Sequence, residues 1–240
     1  MVEHTMKSYE EELALLDKRI AHIGGLVEHS LGQSFLALER RDPQLAETVV
    51  KADRAIDQLQ RDIEEQVVIM IARRQPMAND LRHVIGALRI TSDLERIGDL
   101  AKNMAKRALA LAHEQHPKSL ISGLRNMFEL ALSQLKEVLD AYAERDVEKA
   151  MKVWRDDEQI DVMYNSLFRE LLTCMMEDPR NIGISTHLLF GAKNVERVGD
   201  HTTNIAETVS YLVRGVPLTE ERPKSDETSS ARIFSLDAKS

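Results

Sequence analysis

The chain has 240 residues, 43% of them hydrophobic and 30% charged, with a formal net charge of −8. That charge argues against a general nucleic-acid binder, which needs a basic face to neutralise phosphates. No 18-residue uncharged apolar run is available to span a membrane, and Cys174, the single cysteine, excludes an internal disulfide or a multi-thiolate metal site.

Ten Gly and six Pro, with abundant Leu, Ala, Glu, Arg and Met, favour helix. Aromatics at 4% leave the core to aliphatic side chains and Met. The first twenty residues, MVEHTMKSYEEELALLDKRI, are too charged for a secretory signal, so the expected compartment is the cytoplasm. Ser8 with Glu11 resembles a capping box and predicts a first helix over roughly 7–41. Asp42-Pro43 reads as an N-cap followed by Pro at the first helical position, opening a second helix over roughly 43–74. Pro76 and Pro117 mark starts of helices at roughly 77–113 and 118–145, with apolar residues at three- and four-residue spacing such as Leu81, Val84, Ile85 and Leu88. A fifth helix is expected at roughly 147–177, and Asp178-Pro179 opens a sixth at roughly 180–214. After Val216 the composition turns to Pro, Ser, Thr, Glu and Lys, and residues 216–240 read as a disordered tail.

The two halves align. A shift of 104 residues places Arg41-Asp42 on Arg145-Asp146, Asp53 on Asp157, Ile56 on Ile160 and Asp57 on Asp161. A shift of 101 places Leu88 on Leu189, Asn103 on Asn204, and Glu95–Asp99 on Glu196–Asp200, both reading E-R-(I/V)-G-D. The difference falls near Pro76 and Pro179, where a loop absorbs it. The expected fold is all-α: two tandem three-helix up-down bundles, six long helices in an internal pseudo-repeat, divided as 1–115, 116–215 and the tail.

Each E-R-x-G-D copy sets two carboxylates one turn apart on one helix face, a like-charge pair that costs a few tenths of a kcal/mol, roughly. Each half holds a second pair, Asp53/Asp57 and Asp157/Asp161. In an antiparallel hairpin, residues equidistant from the turn stand level. The pairs 53/99 and 57/95 centre on Pro76, and 157/200 and 161/196 centre between Asp178 and Pro179. Four carboxylates should therefore meet at one height in each half. Glu95 continues a seven-residue stripe through Leu81 and Leu88, and Glu196 one through Ile182 and Leu189. Gly98 and Gly199 each cost about 1 kcal/mol relative to Ala in a helix, which points to close approach of a neighbouring backbone or a bound ion.

Such clusters require positive charge. Hard or borderline cations with oxygen ligands (Fe, Mn, Zn, Mg or Ca) supply it. Asn103 and Asn204, one turn beyond Asp99 and Asp200, are candidates for added ligands or supporting hydrogen bonds. The plain alternative is neutralisation by Arg54, Arg61, Arg96, Arg197 or Lys193 on a solvated face. Elsewhere the signals are weaker. His201 follows Asp200 but points to a different face. His83 and His187 read as surface or packing residues, and His113 and His116 suit a helix end. Cys174, Met70, Met104, Met175 and Met176 read as core. The basic stretch IARRQPMANDLR, residues 71–82, is a solvated turn or a partner-docking surface.

At Ala72–Arg82, Asp93–Asn103 and Asn194–Ile205, and around Ile23–Glu28, the chain resembles the PhoU family of bacterial phosphate-uptake regulators. The resemblance runs from about residue 5 to residue 215, with both acidic motifs intact. It implies tandem three-helix bundles, commonly homodimeric, with multinuclear iron or other metal clusters (zinc, manganese or magnesium) on the acidic motifs. It also implies a cytoplasmic negative regulator with no catalytic turnover. Such a protein links the nucleotide-binding subunit of the phosphate ABC transporter to a sensor histidine kinase, meeting the membrane only through these partners. Two other readings stand beside it: a metal-dependent helical-bundle hydrolase running on carboxylates, and a passive scaffold without metal. A di-iron oxidase is disfavoured, because no Glu is followed by His at the third position.

Overall fold

The same turn occurs at equivalent points of both halves. Arg41 and Arg145 take left-handed φ values of 54° and 57°. The following amides, of Asp42 and Asp146, donate back to Ala37 O and Ala141 O at 3.0 Å, closing two helix C-termini alike. Each Asp then caps the next helix, accepting from Leu45 N and Lys149 N at 3.0 Å. The 104-residue register is thus repeated in backbone geometry.

The computed structural model describes residues 2–114, 118–220 and 222, with side chains from residue 9 and, in the fourth helix, from residue 121. The elements are α1 (Val2–Arg40), α2 (Pro43–Arg74), α3 (Asn79–Leu111), α4 (Lys118–Glu144), α5 (Val147–Asp156), α6 (Glu158–Glu177), a 3-10 turn (Pro179–Asn181) and α7 (Ile182–Arg214). No strand occurs among the described residues. The expected all-α repeat is what forms, with three local differences. The helix α1 runs straight through Ser8, so the capping box does not mark its start. Asp178 caps the 3-10 turn, accepting from Arg180 N at 3.0 Å, and α7 begins only after it. The expected fifth helix is interrupted at Asp157, where Ile160 N bonds Asp157 O at 2.9 Å in a tight three-residue step. Its counterpart α2 is unbroken across Asp53. Pro117 and His116 lie outside the described residues, as do 221 and 223–240 of the tail.

Within each half, three rods pack together, α1–α2–α3 and α4–(α5, α6)–α7, and the halves join chiefly along α3 and α7. These two central helices run antiparallel. Arg89 stands 5.5 Å over the Tyr211 ring, His201 meets Asp93 at 2.9 Å, and Arg107 lies 4.5 Å from the Phe190 ring. Small residues allow the close approach: a Cβ on Gly86 would strike Leu212, and one on Gly191 would sit 3.5 Å from Met104 Sδ. Buried Val84, Ala87, Ile90, Leu94, Ile97, Ala101, Met104 and Ala108 form the seam of α3. The heptad stripe that leads to each Glu is not that seam. Leu81 and Ile182 are exposed and Leu88 and Leu189 half-buried, because the stripe runs along the edge of each hairpin. Met70 and Met104 are core, Cys174 and Met175 are half-buried, and Met176 is 74% exposed near the second hairpin tip.

The antiparallel pairing puts Glu95–Asp99 and Glu196–Asp200 at one height near the middle of the α3–α7 pair. One motif faces α2 and the other faces the α5–α6 junction.

Candidate metal centre

In the first half, α2 and α3 bring the predicted carboxylates together. Asp53 is 5% exposed, and Lys102 Nζ lies 2.5 Å from its Oδ2 and 2.6 Å from Asp99 Oδ1. Half-buried Asp57 and Glu95 complete the group, and Arg96 reaches Glu95 at 3.6 Å and Asp99 at 3.9 Å from the solvent side. A Cβ on Gly98 would touch Ile56 at 3.2 Å and approach Asp53 Oδ1 at 3.9 Å, so the glycine lets α2 carry Asp53 close to α3. Burial raises the pKa of Asp53, with Lys102 pulling against it. Glu95 is raised by burial and then by the Asp99 charge. Burial disfavours the Lys102 charge, but Asp53 and Asp99 outweigh it and hold the ammonium above its ordinary range.

In the second half the arrangement repeats with deeper burial. Asp157, Asp161 and Glu196 are 1%, 3% and 5% exposed, and Asp200 is half-buried. A Cβ on Gly199 would collide with Asp157 Oδ1 and stand 3.1 Å from Ile160 Cδ1, reproducing the Gly98–Ile56–Asp53 contact. Lys193 meets Glu196 at 2.8 Å. The position equivalent to Lys102 is Thr203, whose hydroxyl donates to Asp200 O at 2.7 Å and brings no charge. The cation comes from the tail instead. Arg222 Nη1 lies 2.8 Å from Asp200 Oδ1, and its Nη2 bonds Asp157 Oδ2. Burial raises the Asp157 pKa, with Arg222 opposing that rise. Burial disfavours the Arg222 charge as well, but Asp157 and Asp200 more than offset it.

Lys102 ties Asp53 to Asp99, Arg96 ties Glu95 to Asp99, and Arg222 ties Asp157 to Asp200, while Asp57 lies half-buried beside the first group. Asp161 and Glu196 are buried beside the second group. The asparagines behave differently. The exposed Asn204 donates to Asp93 Oδ1 at 3.2 Å, across to α3 and away from the carboxylates. Asn103 is half-buried and shows no hydrogen bond among the described residues. Of the basic residues considered from sequence, Arg96 and Lys193 do meet the motifs, whereas exposed Arg61 bonds Gln58. Lys102 and Arg222 fall outside the carboxylate spacing that marks the motifs. Lys102 carried a usable signal, an i,i+3 spacing from Asp99. Arg222 carried none, since a tail arginine has no periodicity to place it.

With Lys102 and Arg222 in place, no group of three or more Asp, Glu, His or Cys side chains among the described residues stands close enough to hold a metal ion. What suits a hard cation is the donor type, carboxylate oxygen, at the second cluster in particular. Asp157 Oδ1 is buried with no hydrogen-bond partner among the described residues, an arrangement that a bound cation would satisfy. The first cluster is already closed by Lys102. A raised carboxylate pKa means that ionisation costs native stability, so the protonated form is favoured by folding below the unfolded pKa and that benefit is lost as pH rises through the folded pKa. Glu95→Gln is therefore expected to stabilise metal-free protein at neutral pH by about 0.5 kcal/mol, the size of one relieved like-charge helical pair. The gain should vanish at pH below about 4.3, the unfolded Glu value. Thermal melts at both pH values check this, and a loss at neutral pH would contradict it.

The comparisons with known proteins point one way. The profile of the PhoU domain matches residues 20–108 and 124–209, one copy per half. A phosphate-specific transport system accessory protein PhoU homolog of Rhizobium meliloti is 54% identical over 226 residues, covering 94% of this chain and 95% of its own. A homolog of the same name from Caulobacter vibrioides is 50% identical, over 94% and 98% of the two chains. The crystal structure of PhoU from Pseudomonas aeruginosa superposes with a TM-score of 0.84 at 39% identity, covering 87% of this chain and all of that one.

Proposed function

The chain belongs to the PhoU family, and we propose that it acts without catalytic turnover as a negative regulator of phosphate uptake and of the phosphate-starvation response. The observation that carries this reading is near full-length identity of about one half to relatives named as accessory proteins of the phosphate-specific transport system. In this reading it is a cytoplasmic adaptor, a homodimer that docks on the nucleotide-binding subunit of the phosphate ABC transporter and on a sensor histidine kinase. No described helix is long and apolar enough to cross a membrane, in keeping with contact to the membrane through partners.

The first hairpin tip supports the docking part of the proposal. Met77 is 80% exposed and Leu81 38%, flanked by exposed Arg73 and half-buried Arg74 and Arg82. Gln75 and Ala78 hold φ values of 48° and 50°, a backbone that ordinary side chains rarely adopt and that costs of order 1–3 kcal/mol each. A strained, apolar and basic tip on a long rigid hairpin is suited to a partner surface.

The metal part rests on the carboxylates. Asp157, Asp161, Glu196 and Asp200 would hold the cation, iron foremost and zinc, manganese or magnesium otherwise. Asp53, Asp57, Glu95 and Asp99 are the equivalent set in the first half, where Lys102 already supplies the charge between Asp53 and Asp99. A bound cation would supply the positive charge the second group needs. By binding only the folded bundle, it would favour one packing of that hairpin.

Deleting the gene tests the regulatory role. Phosphate-starvation reporters are expected to stay expressed in phosphate-rich medium and to be repressed again when the chain is restored. Normal repression in the deletion strain would reject the assignment.

A further inference from the structure

Resting on the metal-binding reading above, we infer that Arg222 is an exchangeable counter-ion. The second acidic cluster holds either the Arg222 guanidinium or a divalent cation, so metal binding there and docking of Arg222 exclude one another. The first cluster, closed by Lys102, does not take part.

The asymmetry between the halves carries the argument. Lys102 stands three residues from Asp99 on the same helix, and its Nζ bridges Asp53 and Asp99. It has no way to withdraw without leaving Asp53, 5% exposed, uncompensated. In the second half, Thr203 occupies that helical position with a neutral side chain. The cation arrives from beyond the end of α7, after the left-handed Gly215 has turned the chain (φ 75°). Pro217 and Leu218 then run along a cavity of about 640 Å³ lined also by Arg89, Asp93, Glu207 and Tyr211, before Arg222 enters between Asp157 and Asp200. An arm tethered by a few residues can leave and return without disturbing the bundle. Its tether gives it an effective concentration of order mM, enough to occupy the cluster yet open to competition.

Arg222 also leaves the cluster incompletely satisfied. Its two donors serve Asp157 Oδ2 and Asp200 Oδ1, while Asp157 Oδ1, on a side chain 1% exposed, has no partner among the described residues. Gly199 packs directly against that oxygen, so the carboxylate is held in place. A divalent cation can take both Asp157 oxygens and replaces one positive charge with two. The two occupants compete for the same atoms.

The experiment titrates Mn²⁺ into metal-free wild-type protein, Arg222→Ala and Asp157→Asn, reading bound Mn²⁺ by electron paramagnetic resonance and amide exchange across residues 215–222. Removing the competing arm should tighten Mn²⁺ binding in Arg222→Ala about tenfold, as follows when the arm is docked roughly nine-tenths of the time. In the wild type, saturating Mn²⁺ should speed exchange in 215–222. In Asp157→Asn that exchange should already be fast and insensitive to Mn²⁺. Equal Mn²⁺ affinity in wild type and Arg222→Ala, or Mn²⁺ bound to the wild type with exchange unchanged, would overturn the inference and leave metal binding standing. No Mn²⁺ bound to any variant would overturn the metal-binding reading itself, and this inference with it.

Discussion

Replacing Lys102 with Ala is expected to cost metal-free protein about 3–5 kcal/mol at neutral pH, the usual consequence of removing one partner of a buried ion pair. For a chain of this size that is a fall of roughly 6–20 °C in melting temperature, at about 2–4 °C per kcal/mol. The cost arises on the carboxylate side. Asp53 is 5% exposed, Lys102 Nζ stands 2.5 Å away, and Arg96, the other cation at this cluster, contacts Glu95 and Asp99 rather than Asp53. Without Lys102, burial alone acts on a carboxyl whose pKa it already raises. The variant can escape by protonating Asp53, at about 1.4 kcal/mol per pH unit between the ambient pH and the folded pKa. The sign follows: a carboxyl with a raised folded pKa loses native stability as pH rises through that value and regains it as pH falls. The deficit should therefore shrink when melts are run at about pH 5 rather than neutral pH. A neutral-pH loss below about 1 kcal/mol, the range of a solvated surface pair, would show that Lys102 does not carry the charge balance of this cluster.

The contrast between Lys102 and Arg222 also shows what the sequence revealed and what it hid. The all-α fold, the pairing of halves and the height at which the carboxylates meet all follow from local signals. Proline fixes the turns, and in an antiparallel hairpin distance from the turn fixes height. Asp53 against Asp99 and Asp157 against Asp200 are the result. What stayed hidden depends on rotation about the helix axis and on chain outside it. The seven-residue spacing of Leu81, Leu88 and Glu95 marks a stripe but not the buried seam, which is set by α3 packing against α1 and α7 as well as α2. Asn204 shares the motif's spacing yet turns to Asp93 on α3, because the α3–α7 contact was not part of the hairpin argument. The break at Asp157 breaks the symmetry with α2 and has no proline or glycine to announce it. Arg222 sits in a segment whose composition reads as disorder, and only tertiary structure gives it a destination.

Gly199→Ala and Gly98→Ala should diverge, although the two glycines occupy equivalent places in the repeat. Both substitutions gain about 1 kcal/mol of helix propensity. At Gly98 the new methyl meets Ile56 side-chain atoms at 3.2 and 3.3 Å, and a small rotation of that isoleucine relieves the contact. The net effect is expected within about 0.5 kcal/mol of zero, as for a tolerated packing change. At Gly199 the methyl strikes Asp157 Oδ1 and crowds Ile160 at 3.1 Å. Overpacking there costs about 1–3 kcal/mol. Moving Asp157, 1% exposed, also pulls its Oδ2 from Arg222 and strands a buried charge. We expect a net loss of about 2 kcal/mol or more after the propensity gain, read from denaturant unfolding of the metal-free protein. A double-mutant cycle identifies the cause. If the damage runs through the Asp157–Arg222 bond, Gly199→Ala should cost less in an Arg222→Ala background than in the wild type, because that bond is already gone. Strict additivity would place the loss in the steric contacts with Asp157 and Ile160 and remove the Asp157–Arg222 bond from the explanation. Equal losses at Gly98 and Gly199 would mean that the two clusters are equally tolerant of the added methyl, against the closer approach of Asp157 to α7.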